Sequence, residues 1–230
     1  MSDADPTLAL VRLLQLASPA LPVGAYSYSQ ALEWAAAAGV IVDADSARDW
    51  ISDMLELVVA PGEAAILWRL LEATDRRDWL AAAEWNDVSR VSRETAELRA
   101  ETEQMGSSLV KLVRDLSLMD DRALAAASDV APVTFPAAFA LAARGFGIAP
   151  PSALIAYLWS WLENQVLCAV KTVPLGQLAG QRMLVVLGGR IAAAALLARS
   201  IPDDDIRTFA PGLALASSRH ETQYSRLFRS

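Results

Sequence analysis

The chain has 230 residues, 54% hydrophobic and 20% charged, with a formal net charge of −7, one histidine and one cysteine. A pI near 4.8 disfavours attraction to the nucleic-acid backbone, and a lone histidine and cysteine cannot supply a zinc or nickel site of several nitrogen and sulfur ligands within one chain. Cys168 has no partner for an internal disulfide, which fits a reducing compartment.

Mean hydropathy is high at +0.29, yet alanine runs at residues 35–38 and 192–195 supply much of it and mark closely packed helices. No stretch keeps the roughly 18–20 uninterrupted apolar residues of a membrane span. The start, MSDADPT, carries two aspartates and no basic region, unlike a secretory signal or transit peptide. One compact domain, a cytoplasmic location and protein partners are expected.

In chain order, Leu8, Leu10, Val11, Leu13, Leu14 and Leu16 form the apolar face of a short helix ending near residues 18–22. Segment 21–34, LPVGAYSYSQALEW, follows. Pro22 and Gly24 break the helix, and the chain restarts through Tyr26, Ser27, Tyr28, Ser29 and Gln30 before Leu32, Glu33 and Trp34 restore helical spacing. A helix is expected over 27–38, stopped by Gly39. Buried hydroxyls and amides need partners, so the segment is either a polar seam in the core or a surface awaiting a partner.

Ser46 with Asp49 resembles a capping box, and Trp50, Ile51, Met54, Leu55, Val58 and Val59 recur at helical spacing up to Pro61. Ile66, Leu67, Leu70 and Leu71 carry a further helix beyond Gly62. Residues 75–87 carry another, with Trp79, Leu80 and Ala83 inward. The most polar stretch is 88–119. There Arg90 and Glu94, Arg93 and Glu97, and Arg99 and Glu103 stand i,i+4, predicting ion pairs on a solvated helix face with nothing to raise a glutamate pKa.

After a link at 120–121, a helix over 134–143 closes at Gly145 and Gly147. Pro150 and Pro151 then open a helix apolar nearly all round, the expected centre of a bundle, which Pro174 ends. Residues 177–199 predict a second buried helix. Gly180, Gly188 and Gly189 within it, each costing about 1 kcal/mol relative to alanine, imply close approach of a neighbouring backbone.

The expected architecture is all-α, a single-domain bundle of about ten helices over residues 1–200, a linker over 201–216 and a flexible cationic tail over 217–230. The tail reads SSRHETQYSRLFRS. Charge reversal at a chain end suits a flexible tail, whereas Tyr224, Leu227 and Phe228 are apolar anchors that suit a segment ordering on a partner, and both readings stand.

No nucleotide-binding glycine motif and no nucleophile–base pair can be found. His220 reads as a hydrogen-bonded or exposed tail residue, with one ligand of a site shared between subunits as the sharper alternative. Asp203, Asp204 and Asp205 read as solvating a linker. Neither catalytic nor metal residues nor a cofactor are expected, which leaves function by contact. An acid–base enzyme and a general helical scaffold are the competing classes.

The segments LPVGAYSYSQALEW, RETAELRAETEQMG (93–106), VKTVPLGQ (170–177) and the tail together resemble the urease accessory protein UreF family, over residues 13–230. Ala31 stands where that pattern commonly has glycine, and Thr172 and Leu175 also depart from it. The resemblance implies an all-α, dimeric, non-catalytic protein. It further implies joining the accessory protein UreD (also called UreH) and the GTPase UreG on apo-urease, coupling GTP hydrolysis to nickel insertion. The partner-binding positions it implies are Tyr26, Ser27, Tyr28, Ser29, Gln30 and Glu33 in the opening segment, Lys171 in the third, and Arg219, His220, Glu221, Tyr224, Ser225, Arg226, Leu227, Phe228 and Arg229 in the tail. Lys171 reads equally as a cation near a helix C-terminus, and Tyr26 and Tyr28 as core residues of which only one need face outward.

Overall fold

The computed structural model describes residues 6–120, 123–125 and 132–230. The acidic start at 1–5 and residue 121 of the expected link lie outside the described residues. Among the described residues the chain forms eleven α-helices and no strand.

Helix α1 (Pro6–Leu16) opens on a proline and buries only Leu16. A 3-10 turn, Ala25–Ser27, and an irregular stretch then replace most of the helix expected over 27–38, so α2 is only Leu32–Ala37. The physical reason is the backbone: Gln30 and Ala31 adopt positive φ of 51° and 66°, which no α-helix accommodates. The α3 helix (Ala44–Asp53) has its capping box three residues earlier than expected. Asp43 Oδ1 accepts from Ser46 N at 2.8 Å, and Ser46 Oγ accepts from Asp43 N at 3.0 Å.

Pro61 does not end this helix. A π-helical segment, Met54–Glu63, carries the chain straight into α4 (Ala64–Arg76), its wider turn absorbing a residue with no N–H to donate. Pro61 O accepts instead from Arg207 N at 3.0 Å. The expected linker therefore packs here, and Gly62 makes room: a Cβ there would meet Arg207 O at 2.6 Å.

Asp78 caps α5 (Trp79–Val91), on which Leu80 faces solvent rather than the core. Thr95 caps α6 (Ala96–Asp115), so 88–119 is two helices broken at 92–95. Helix α6 packs on α7 (Phe135–Gly145), and Gly106 permits the approach of the 133–134 backbone, since a Cβ would lie 2.0 Å from Val133 O.

Helix α8 (Pro150–Thr172) is the centre, touching α1–α4, α7, α9 (Gln177–Gly188) and α10 (Ile191–Ser200). It is long and apolar enough to cross a membrane, but 61% of its apolar window is buried within the protein, as befits a core helix. Helices α9 and α10 meet at a 41° bend instead of forming the single helix expected over 177–199. The close approaches at Gly180 and Gly188 are to side chains of α8, Val170 Cγ2 at 2.9 Å and the Trp159 ring at 3.3 Å, not to a backbone.

Leu16, Leu32, Ile51, Leu55, Leu67, Leu109, Phe139, Leu154 and Leu158 knit one core, each such side chain worth about 1.5–3 kcal/mol on burial. Helix α11 (Pro211–Glu221) runs across the expected linker–tail boundary at 216/217.

Candidate functional site

The opening segment, the charged helix α6 and the chain's last residues come together on one side of α8. Glu33, at the start of α2, is the hub. Its Oε1 accepts from Leu227 N at 2.6 Å and its Oε2 from Phe228 N at 2.9 Å, with His220 Nε2 3.3 Å from the same oxygen. Glu33 thus satisfies two backbone donors of a segment that has no helix or sheet to pair them.

The backbone of the opening segment completes the docking. Arg229 N donates to Ser27 O at 2.8 Å, and Ser29 N and Oγ both donate to Ser230 O at 2.7 Å. Phe228 is buried, with Lys171 Nζ, in the last turn of α8, 5.6 Å from its ring centroid.

Helix α6 supplies the third wall. Glu97 Oε2 lies 2.7 Å from His220 Nδ1, and Glu97 Oε1 takes Arg226. One turn on, Glu101 Oε2 accepts from Ser230 Oγ at 2.6 Å and its Oε1 from Gln30 Nε2 at 2.9 Å. Thr95 Oγ1 lies 2.8 Å from Ser217 Oγ, and Glu94 Oε1 accepts from Ala210 N at 2.7 Å. The face expected to be solvated is therefore largely spent on the tail. Arg93 pairs with Glu63 of the π segment rather than with Glu97. Burial pushes the Glu101 carboxyl up, against the expectation that nothing there would raise a glutamate pKa.

Each expected position can now be placed. Tyr28 is buried and donates its hydroxyl to Gln104 Oε1 at 2.7 Å; burial, then the Glu101 charge, pushes its pKa up. Its carbonyl accepts from Asn164 Nδ2 at 2.9 Å, while Gln30 accepts from Trp161 Nε1 at 2.8 Å. The segment is thus a polar seam, and of its two tyrosines Tyr26 faces outward at 63% exposure. Tyr26, Tyr28, Gln104 and Arg229 line an open groove of about 370 Å³. Of the tail, His220 and Phe228 are buried, and Arg219, Glu221, Ser225, Arg226, Leu227 and Arg229 are exposed. Tyr224 stands fully in solvent. Glu221 reaches back to Glu97 N at 3.3 Å, near the positive end of α6.

Sequence reasoning missed Thr95, Glu97, Glu101 and Gln104. The available signal was the spacing of Glu97, Glu101 and Gln104 along α6, one turn apart and flanking the apolar stripe of Leu98, Met105 and Leu109, with Thr95 as the helix cap. Asp203, expected to be solvated, pairs with Arg69 at 2.8 Å.

Beneath the seam, Gln30, Glu63, Arg93, Glu101, Tyr157 and Trp161 border an interior cavity of about 90 Å³. Burial, then the Glu63 charge, holds the Tyr157 hydroxyl well above its ordinary value, so it remains a donor to Glu63. Among the described residues no group of three His, Cys, Asp or Glu side chains is placed to hold a metal. The two nitrogens of His220 point at different carboxylates and cannot share a centre with both.

The described residues form an all-helical body in which a polar seam joins the opening segment, α6 and the last residues of the chain. The UreF family model matches residues 41–188. The chain is 53% identical over 233 residues, spanning all of it and 99% of the relative, to the urease accessory protein UreF of Azoarcus sp. strain BH72. It is 50% identical to that of Janthinobacterium sp. strain Marseille, over 96% of this chain and 98% of the relative, and 49% identical with the same coverage to that of Nitrosospira multiformis. The chain belongs to the UreF family of urease accessory proteins, a non-catalytic family. Family membership sets aside both an acid–base enzyme and a scaffold unrelated to urease.

Proposed function

We propose that this protein bridges the accessory protein UreD/UreH and the GTPase UreG on apo-urease, as a cytoplasmic homodimer that couples GTP hydrolysis to nickel insertion. The observation that carries the reading is the clasp. Buried Glu33, Ser29, Phe228 and His220 hold the tail against the opening segment, leaving Tyr26, Lys171, Arg219, Tyr224, Leu227 and Arg229 exposed. Tyrosine and arginine around an aliphatic anchor are the residue types that carry binding energy at protein interfaces. Self-association is supported by a second face, where Leu178, Val185, Val186, Leu196 and Leu197 of α9 and α10 are exposed.

The test is co-expression with UreD/UreH and UreG from the same source, followed by size-exclusion chromatography with light scattering. Wild-type chain is expected in one large complex. A Tyr224→Ala, Leu227→Asp double variant, altered only at exposed side chains, is expected to fold normally and elute without UreD/UreH. Equal assembly of the double variant would overturn the assignment of the tail as the docking element.

A further inference from the structure

His220 is wholly buried, and both its ring nitrogens face carboxylate oxygens: Nδ1 lies 2.7 Å from Glu97 Oε2, and Nε2 lies 3.3 Å from Glu33 Oε2. A neutral imidazole carries one N–H and can serve only one of these. A carboxyl proton on Glu97 or Glu33 would serve the bare nitrogen as well, but it would discharge a carboxylate whose charge strengthens the bonds it already accepts elsewhere. Glu33 takes Leu227 N and Phe228 N, one on each oxygen, and Glu97 takes the Arg226 guanidinium on Oε1. No solvent reaches the ring to relieve an unpaired lone pair. The imidazolium satisfies every atom of the cluster while leaving both carboxylates charged.

The charges agree. The groups facing the ring are Glu33 from α2 and Glu97 from α6; Arg226 of the tail pairs with the Glu97 side chain and Glu221 of α11 with its backbone N–H, Glu101 lies a turn farther along α6, and Lys171 of α8 lies over Phe228. Two carboxylates in direct contact are balanced by one guanidinium and one imidazolium. With a neutral ring the cluster holds an uncompensated buried negative charge.

We propose that His220 is a proton-gated latch: its cationic ring ties α11 to α2 and α6, and loss of that proton frees the tail from the opening segment. The latch works within the free chain, so it does not depend on any partner. It makes tail docking a proton-linked equilibrium, with one proton released per tail that opens.

The chain has a single histidine, so its ring is observed without ambiguity. The experiment labels the histidine ring with nitrogen-15 in the full chain. It follows ring protonation together with exchange of the Leu227 and Phe228 amides from about pH 5 to pH 9.5, the range in which imidazoles titrate. The expected result is two ring N–H groups while the tail is docked. As pH rises from the range of a free imidazole toward the titration of the docked ring, protection of those two amides should fall by up to about tenfold per pH unit and level off once the docked ring is neutral, while amides of α8 keep theirs. A neutral ring in the docked state, or protection unchanged through the ring's titration, would overturn the latch. In His220→Gln the tail amides should be less protected and insensitive to pH over that range; a wild-type pH profile in that variant would equally overturn it.

Discussion

Ala31 shows how one backbone position carries a cost. It sits in the left-handed region at φ 66° and is fully buried, so its methyl group pays the steric penalty that glycine avoids. Ala31→Gly is expected to raise stability by up to about 1 kcal/mol, the relief of strain exceeding glycine's extra chain entropy, and to lift Tm by about 2–4 °C. Differential scanning calorimetry checks this; a lower Tm contradicts it. Cys168 makes a second case. Burial pushes its thiol up to about 12 from an ordinary 9.0, so the folded state holds the proton more tightly than the unfolded chain. That contribution to stability is complete below the unfolded value and is lost as pH rises toward about 12. Iodoacetamide at pH 8 should leave the native thiol unmodified and label it fully in denaturant, read by mass spectrometry.

Helices were legible wherever apolar spacing was unbroken, as in α3, α4 and α8, because burying one face dominates their energetics. What escaped the sequence was set by contacts between elements. Pro61 reads locally as a stop, yet a π segment carries the chain past it, and its carbonyl accepts from Arg207 N across the fold. The charged run of α6 reads as solvated because i,i+4 pairing is the local solution, yet Glu97 and Glu101 face a tail more than a hundred residues away in sequence. That the opening segment and the tail stand apart from the core pattern was legible; their partners on α6 were not. The stretch expected to be a linker is likewise fixed from outside, and Gly62 tests this. A Cβ placed 2.6 Å from Arg207 O must displace the 206–210 backbone, so Gly62→Ala is expected to cost about 1–3 kcal/mol and to make Arg207 an early trypsin site. Unchanged proteolysis would mean that the segment is not held there.

For the molecule as a whole, the bundle around α8 supports the clasp, which the proposed function takes as the docking face. Acidic groups dominate the chain, yet the tail brings Arg226 and Arg229 onto the α6 face and Phe228 under Lys171 of α8, so local pairing rather than net charge decides where the tail lies. If the opening segment and tail form one docking unit, breaking either side should disable the same surface. Glu33→Ala removes the acceptor for Leu227 N and Phe228 N, and Phe228→Ala removes the buried anchor. The most direct measurement is a double-mutant cycle on these two residues for affinity to UreD/UreH, by calorimetry, with folding of each variant verified by circular dichroism. The account predicts that each single change weakens binding by on the order of tenfold or more and that the double variant is no weaker than the worse single one. Losses that simply add would contradict it, because the two segments would then be separate sites.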